Sequence, residues 1–193
     1  GRERKTDIKT FDDVDARKVV IRNTKLYVNR EEGFVGTSLR KDEYVADCSD
    51  IDDIIVFTED GKMIVTKVDT KTFVGKNILH LAVFKKKDSR TIYNMIYQDG
   101  KSGTSYIKRF AVTGVTRDKE YILTQGTSGS KVLYFSANPN GEAEIVSIVL
   151  RQSGSIKKLK WDLDFADLEI KGRGVKGNIV TKYRVNRIEL KEE

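Results

Sequence analysis

The chain has 193 residues, 38% apolar and 34% charged, with a formal net charge of +7. That length suits one large or two small domains, and the composition supports a modest core rather than a disordered chain. A lone cysteine (Cys48) and a lone histidine (His80) argue against a disulfide framework and a structural zinc site, and no apolar run approaches the ~20 residues of a membrane-spanning helix.

The charge is unevenly spread. Residues 1–60 carry 11 basic and 15 acidic side chains, whereas residues 61–131 carry 14 basic and 5 acidic, a local balance of +9. An excess of that size marks a partner such as nucleic acid or another anionic surface, with simple solubility as the alternative. The first 16 residues, GRERKTDIKTFDDVDA, are charged throughout and make no signal peptide, so a cytoplasmic location is expected. The chain begins without Met and is expected to be a piece of something longer.

In chain order, residues 1–16 read as a linker, or as a linker with one strand that closes or pads the first unit. Short strand-like runs follow, beginning with Lys18–Ile21. Then a phrase recurs: an apolar run, polar residues, a glycine, and a strand carrying Lys or Arg. It reads LYVNREEGFVGTSLR at Leu26–Arg40, IIVFTEDGKMIVTK at Ile54–Lys67 and YNMIYQDGKSGTSYIKR at Tyr93–Arg109, with a weaker copy, RQSGSIKKLKW, at Arg151–Trp161. Between these lie the runs Ile78–Phe84, Val132–Phe135 and Glu144–Leu150. Asp60-Gly61, Asp99-Gly100 and Asn140-Gly141 read as two-residue hairpin turns, and the only proline, Pro139, sits in the loop Ser136–Gly141. No amphipathic helix of ten or more residues is visible. The fold class is therefore all-β: a sandwich, a barrel or a propeller.

The repeat favours the propeller. Four units of about 48 residues match the size of a four-stranded blade. Their bounds read as 17–50, 51–90, 91–150 and 151–193. Each unit has a head pivoting on a glycine: Gly33, Gly61, Gly100 and Gly154. Three also have a Gly/Lys tail: FVGKNILHL at Phe73–Leu81, TQGTSGSKVLYF at Thr124–Phe135 and IKGRGVKGNIVTKY at Ile170–Tyr183.

Basic residues at matching repeat positions should line one edge of such a disc. Lys67, Lys108 and Arg109 end head strands. Lys85, Lys86 and Lys87, with Arg90, form the densest basic run and read as phosphate contacts or as a solvated hairpin tip. Lys157 and Lys158 enter the last unit's head strand. Arg173 and Lys176 lie among Gly172, Gly174 and Gly177, which let the backbone turn tightly and approach a phosphate. A tight turn between blades would use the same glycines. Arg40, Lys41, Lys62, Lys76, Lys101, Lys131, Lys171 and Lys182 complete the candidate DNA-binding set. Asp162 and Asp164 form a D-x-D pair, but strand alternation with Leu163 and Phe165 explains it, and no metal is expected. No Walker loop, dinucleotide fingerprint or Ser-His-Asp set occurs, so no cofactor and no catalysis are expected of this chain alone.

The pattern TEDGKMIVTKV with its Gly/Lys tail resembles the blade repeat of the C-terminal domain in the A subunits of bacterial type IIA topoisomerases, the family of gyrase and topoisomerase IV. SYIKRFAVTGVTRDKEY and TQGTSGSKVLYFSANPNGEAE are similar to the topoisomerase IV-type subunit of the Bacteroides group. The resemblance covers about residues 17–190. It implies a β-pinwheel, a propeller-like disc whose blades exchange strands, in a family that usually has five or six blades. It also implies double-stranded DNA held and bent on a basic rim, positioning the transfer segment for relaxation, decatenation or supercoiling by the whole enzyme. The implied partners are the remainder of its own polypeptide and the enzyme's ATPase subunit, with ATP and magnesium expected to serve the whole enzyme. The implied location is the nucleoid, with the isolated domain monomeric. No tyrosine here stands in the arginine-tyrosine context of the family's nucleophile. Gyrase subunits carry a first-blade box, Q-R-R-G-G-K-G, but the first unit here, GFVGTSLRKDEYVADCSD, lacks it. The nearest matches are QGTSGSK, with Gln125, Gly126 and Gly129, and GRGVKG, with Gly172, Gly174 and Gly177. That departure favours a topoisomerase IV-like bender over a gyrase-like wrapper. A propeller that binds protein partners remains the alternative.

Overall fold

The computed structural model describes residues 24–192; the linker at residues 1–16 and the run Lys18–Ile21 lie outside the described residues. Sixteen strands and one 3-10 turn are described, and the strands gather into four sheets. The first holds β1 (Thr24–Asn29), β2 (Phe34–Gly36), β3 (Glu43–Cys48) and β6 (Thr72–Phe73), in the order β3-β1-β2-β6. The second holds β4 (Asp53–Thr58), β5 (Lys62–Lys67), β7 (Ile78–Phe84) and β10 (Glu120–Ile122), in the order β10-β5-β4-β7. The third runs β11-β8-β9-β14, from β8 (Ile92–Gln98), β9 (Ser105–Ala111), β11 (Lys131–Asn138) and β14 (Ile170–Gly172), and β15 (Asn178–Thr181) shares the edge of β9. The fourth, β13-β12-β16, consists of β12 (Ile145–Leu150), β13 (Lys160–Asp164) and β16 (Val185–Leu190).

Each of the first three sheets borrows its edge strand from chain that otherwise builds the next sheet. The borrowing is repeated in detail. Val74 N–H donates to the Gly33 carbonyl at 2.8 Å, and Leu123 N–H donates to the Gly61 carbonyl at 2.8 Å. Four sheets linked by exchanged strands form a β-pinwheel.

The apolar runs are continuous because the strands of β4 and β8 are buried on both faces. In β4, Ile54 and Val56 pack with Leu26 and Val28 of the first sheet, while Ile55 and Phe57 pack with Met95, Tyr97 and Phe110 of the third. A third cluster joins Ile96 and Ile107 to Val146, Ile148, Leu150 and Phe165. Each such side chain contributes about 1.5–3 kcal/mol on burial, so the sheet-to-sheet faces hold the array together.

Three turn readings need correction. Asp60-Gly61 does sit in the β4–β5 hairpin, but only Gly61 has positive φ, at 83°. The β8–β9 connection is longer than two residues, and its left-handed glycine is Gly103 rather than Gly100. Asn140-Gly141 joins no hairpin, since β11 pairs with β8 and β12 opens the fourth sheet. That sheet therefore begins at Ile145, ahead of the unit bound read at residue 151. The D-x-D pair serves the fold. Asp162 accepts from Ser147 Oγ at 2.6 Å and Lys191 Nζ at 2.7 Å, and Asp164 caps the 3-10 turn Phe165–Asp167.

Candidate nucleic-acid interface

Most of the candidate basic residues are exposed: Arg40, Lys41, Lys67, Lys76, Lys85, Lys86, Lys87, Arg90, Lys101, Lys131, Lys157, Lys158, Lys171, Lys176 and Lys182. They spread over the four sheets rather than forming one cluster. Lys85–Lys87 and Arg90 lie in the crossover from β7 to β8, not at a hairpin tip. Lys87 has φ of 61°, and the Asp88 carboxylate accepts from Arg90 N–H at 2.9 Å, which holds this basic turn in shape. Lys62 is half-buried between Glu120, 3.3 Å away, and Asp60, 3.6 Å away. The hydrogen bond and charge of Glu120, then Asp60, raise its pKa and neutralise it locally.

Lys108 and Arg109 are not at the rim. Lys108 is only 2% exposed. Its ammonium donates to the carbonyls of Leu123 at 2.5 Å, Arg173 at 2.8 Å and Val175 at 3.0 Å, and lies 5.1 Å from the centre of the Phe110 ring. Burial pushes its pKa down to about 8. Arg109 donates from Nε to Asn94 Oδ1 at 2.9 Å and from Nη2 to the Gly141 carbonyl at 2.7 Å. The physical reason lies in the borrowed strands. β14 pairs parallel with Arg109–Ala111, and β15 pairs antiparallel with Ser105–Ile107, so β9 is covered along its length. A buried cation persists only where acceptors surround it, and both residues have them.

The GRGVKG connection between β14 and β15 arches over Lys108. Its Arg173 and Val175 carbonyls face that ammonium, and the Lys176 carbonyl accepts from the Tyr97 hydroxyl at 2.6 Å. Gly177 has φ of 93°, and a Cβ there would stand 2.6 Å from the Ile107 carbonyl oxygen. With these carbonyls turned inward, the charged side chains lie over aromatic rings. Arg173 is 4.2 Å from the Tyr121 centroid, Lys119 is 5.2 Å from the same ring, and Lys176 is 5.0 Å from that of Tyr106. Such contacts hold guanidinium and ammonium groups in place without neutralising them. Lys171 lines the adjoining cleft with Lys176, together with Asp167 and Glu169. A Cβ at Gly172 or Gly174 would meet nothing within 4 Å, so that stretch of backbone is open to close approach. Lys119 is absent from the sequence-derived set. Its signal is the alternate spacing of Arg117, Lys119 and Tyr121 leading into the donated strand.

The other glycine turn, QGTSGSK, fastens the third head. Gly126 and Gly129 have φ of 77° and 82°. The Ser130 hydroxyl accepts from Gly100 N–H at 2.9 Å, and Asp99 accepts from Thr127 and, at 2.6 Å, from Ser102 Oγ. Those bonds, Ser102 first and then Thr127, hold the Asp99 pKa at about 2. Gln125 is exposed.

Among the described residues no group of three or more His, Cys, Asp or Glu could hold a metal ion, and no helix is long and apolar enough to cross a membrane. A family profile described as Topoisomerase C-terminal domain, Bacteroidota, matches residues 25–193. The chain belongs to this family. This topoisomerase C-terminal domain is 30% identical over 138 residues to the A subunit of DNA topoisomerase 4 from Borreliella burgdorferi. The match covers 71% of this chain and 22% of that protein, so the domain spans under a quarter of that relative's length. It is also similar to a crystallised C-terminal domain of DNA topoisomerase IV, with a TM-score of 0.48 and 10% identity over 87% of this chain and 62% of that one.

Proposed function

We propose that this domain binds double-stranded DNA through its exposed lysines and arginines and catalyses nothing alone. The observation that carries the reading is the GRGVKG turn. Its carbonyls are pinned inward by Lys108 and Tyr97, while Arg173, Lys176 and neighbouring Lys119 face outward over tyrosine rings. The scattered basic residues of all four sheets extend that patch into a rim. In this reading the rim bends DNA and presents a transfer segment to the remainder of the polypeptide. ATP hydrolysis and magnesium-dependent cleavage lie elsewhere in the enzyme. The domain acts as a monomer in the nucleoid, and relaxation or decatenation is the outcome for the whole enzyme.

Binding to linear, nicked and supercoiled DNA across a salt series tests this. With about five phosphate contacts, log K falls with log salt at a slope of about −4 to −5, because binding releases condensed counterions. A slope near zero sinks the proposal.

A second reading has its own observation. Phe73, Ile122 and Ile179, on the donated strands, are 58%, 54% and 59% exposed. Exposed apolar side chains of this size suit a protein partner, and equal retention on heparin and on an uncharged resin would favour it.

A further inference from the structure

The heads of the first two sheets meet along one edge. The Glu31 carbonyl accepts from Asn77 N–H at 3.4 Å, and the Asn77 carbonyl accepts from Glu59 N–H at 2.9 Å. Asn77 takes this bridging place with φ of 57°, in the left-handed region that asparagine enters more readily than most residues. The turn Glu31-Glu32-Gly33 and the turn Glu59-Asp60-Gly61 are thereby stitched together. The donated strand β10 adds a further carboxylate, because Lys62 lies 3.3 Å from Glu120 and 3.6 Å from Asp60.

Glu31, Glu32, Glu59, Asp60 and Glu120 are all exposed. The basic groups among them are engaged or outnumbered. Arg30 pairs with Glu43 at 2.8 Å, Lys62 is shared by two carboxylates, and the exposed Lys76 lines one cleft with Asp60 and Glu120. Beyond Glu59 the edge changes sign. Val132 N–H donates to the Glu59 carbonyl at 2.8 Å and brings the exposed Lys131 alongside. The third head then carries Lys101, while its Asp99 is only 4% exposed. The fourth head carries Lys157 and Lys158.

Duplex DNA presents a dense row of negative charge, so like charge at this edge works against it in the way that repulsive contacts set specificity elsewhere. At physiological salt the repulsion reaches about 8 Å. It covers the two stitched heads but not the Lys85–Lys87 run. That run follows Phe84, which lies opposite Asp53 at the far end of β4, about 17 Å from Thr58 at the usual strand rise.

We infer that the carboxylates of the first two heads form a barrier that ends the DNA path, keeping the duplex off this edge and confining it to the later sheets and the β7–β8 crossover. Lys62 and Lys76, though basic and near the rim, then contact no phosphate. The inference rests on the DNA-binding reading and adds where the bound duplex stops.

Gel shifts across a salt series test it with four forms of the chain. These are the parent, Lys76→Gln, a triple variant (Glu31→Gln, Glu32→Gln and Glu59→Gln), and the triple variant carrying Lys76→Gln. Lys76→Gln alone should keep the parental slope of log K against log salt. The triple variant should bind more tightly, with a slope steeper by about 0.9 as Lys76 gains a phosphate. Adding Lys76→Gln to it should restore the parental slope. Two results would overturn the inference. One is a slope flattened by about 0.9 in Lys76→Gln alone, which would put DNA on this edge already. The other is a triple variant whose slope stays parental. A parent without salt-dependent binding would instead refute the DNA-binding reading, and this inference with it.

Discussion

The ammonium of Lys108 stands 2.8 Å from the main-chain carbonyl of Arg173, so one basic residue of β9 holds the turn that presents another. This fixes the consequence of losing it. Lys108→Met would leave the Leu123, Arg173 and Val175 carbonyls buried without their shared donor. We expect a loss of about 2–4 kcal/mol in urea denaturation, since buried acceptors left unsatisfied are costly. At temperatures where the variant stays folded, DNA affinity should also fall, because the turn carrying Arg173 and Lys176 loses its anchor. Unchanged stability would contradict the geometry.

Asp99 gives the domain an acid-side pH dependence. Its folded pKa, about 2, lies below the ordinary value of 3.8, because Ser102 and Thr127 hydrogen-bond the carboxylate. A depressed carboxylate stabilises the fold above its unfolded pKa and loses that contribution as pH falls through the folded value. Stability from this group is therefore full above about pH 4 and fades toward pH 2. Asp99→Asn should flatten this part of the stability profile, measured by denaturant titration between those limits. A variant that tracks the parent across the window would refute the assignment.

The glycines of the GRGVKG turn separate into two kinds. Gly177 has positive φ and leaves no room for a Cβ beside the Ile107 carbonyl, whereas a Cβ at Gly174 would face open space. Gly177→Ala should cost about 1–3 kcal/mol through strain and overpacking. Gly174→Ala should leave stability within about 0.5 kcal/mol. If DNA backbone approaches that turn, Gly174→Ala should still weaken binding. Thermal unfolding paired with DNA titration reads both effects, and a Gly174→Ala variant with full affinity would place DNA elsewhere.

Much of this fold is visible in the chain itself. Runs such as Ile54–Phe57, packed on both faces, and the recurring head glycines are local signals that tertiary structure reinforces. The borrowed strands are not local. Nothing near Thr72 or Tyr121 says that its partner is Phe34's or Met63's strand, because those pairings span the unit bounds. The same gap explains why Lys108 and Arg109 read as rim residues. They match Lys67 in sequence position, but β5 receives a short donor whereas β9 is covered along its length. Asn140-Gly141 misleads for a related reason: a good turn sequence ends β11, but the next strand belongs to another sheet. Lys119 does not stand out in the sequence because its value depends on Arg173 meeting the same tyrosine ring.

The two basic groups on the rim should contribute separably. Lys119, Arg173 and Lys176 form a patch at the join of the second and third sheets, and Lys85–Lys87 with Arg90 form another in the β7–β8 crossover. Removing one phosphate-binding charge reduces the salt slope by about 0.9. Replacing the first three residues with glutamine should therefore flatten the slope by about 2 to 3 and weaken binding evenly across sequences, since phosphate contacts carry no base information. The same replacement at Lys85–Lys87 and Arg90 should remove most of the remainder of a slope of about −4 to −5 when the two are combined, because the groups share no partner. Gel shift of the parent, both variants and their combination across a salt series measures this. If the first variant keeps the parental slope, the aromatic-backed patch does not touch phosphate, and DNA runs over the crossover instead.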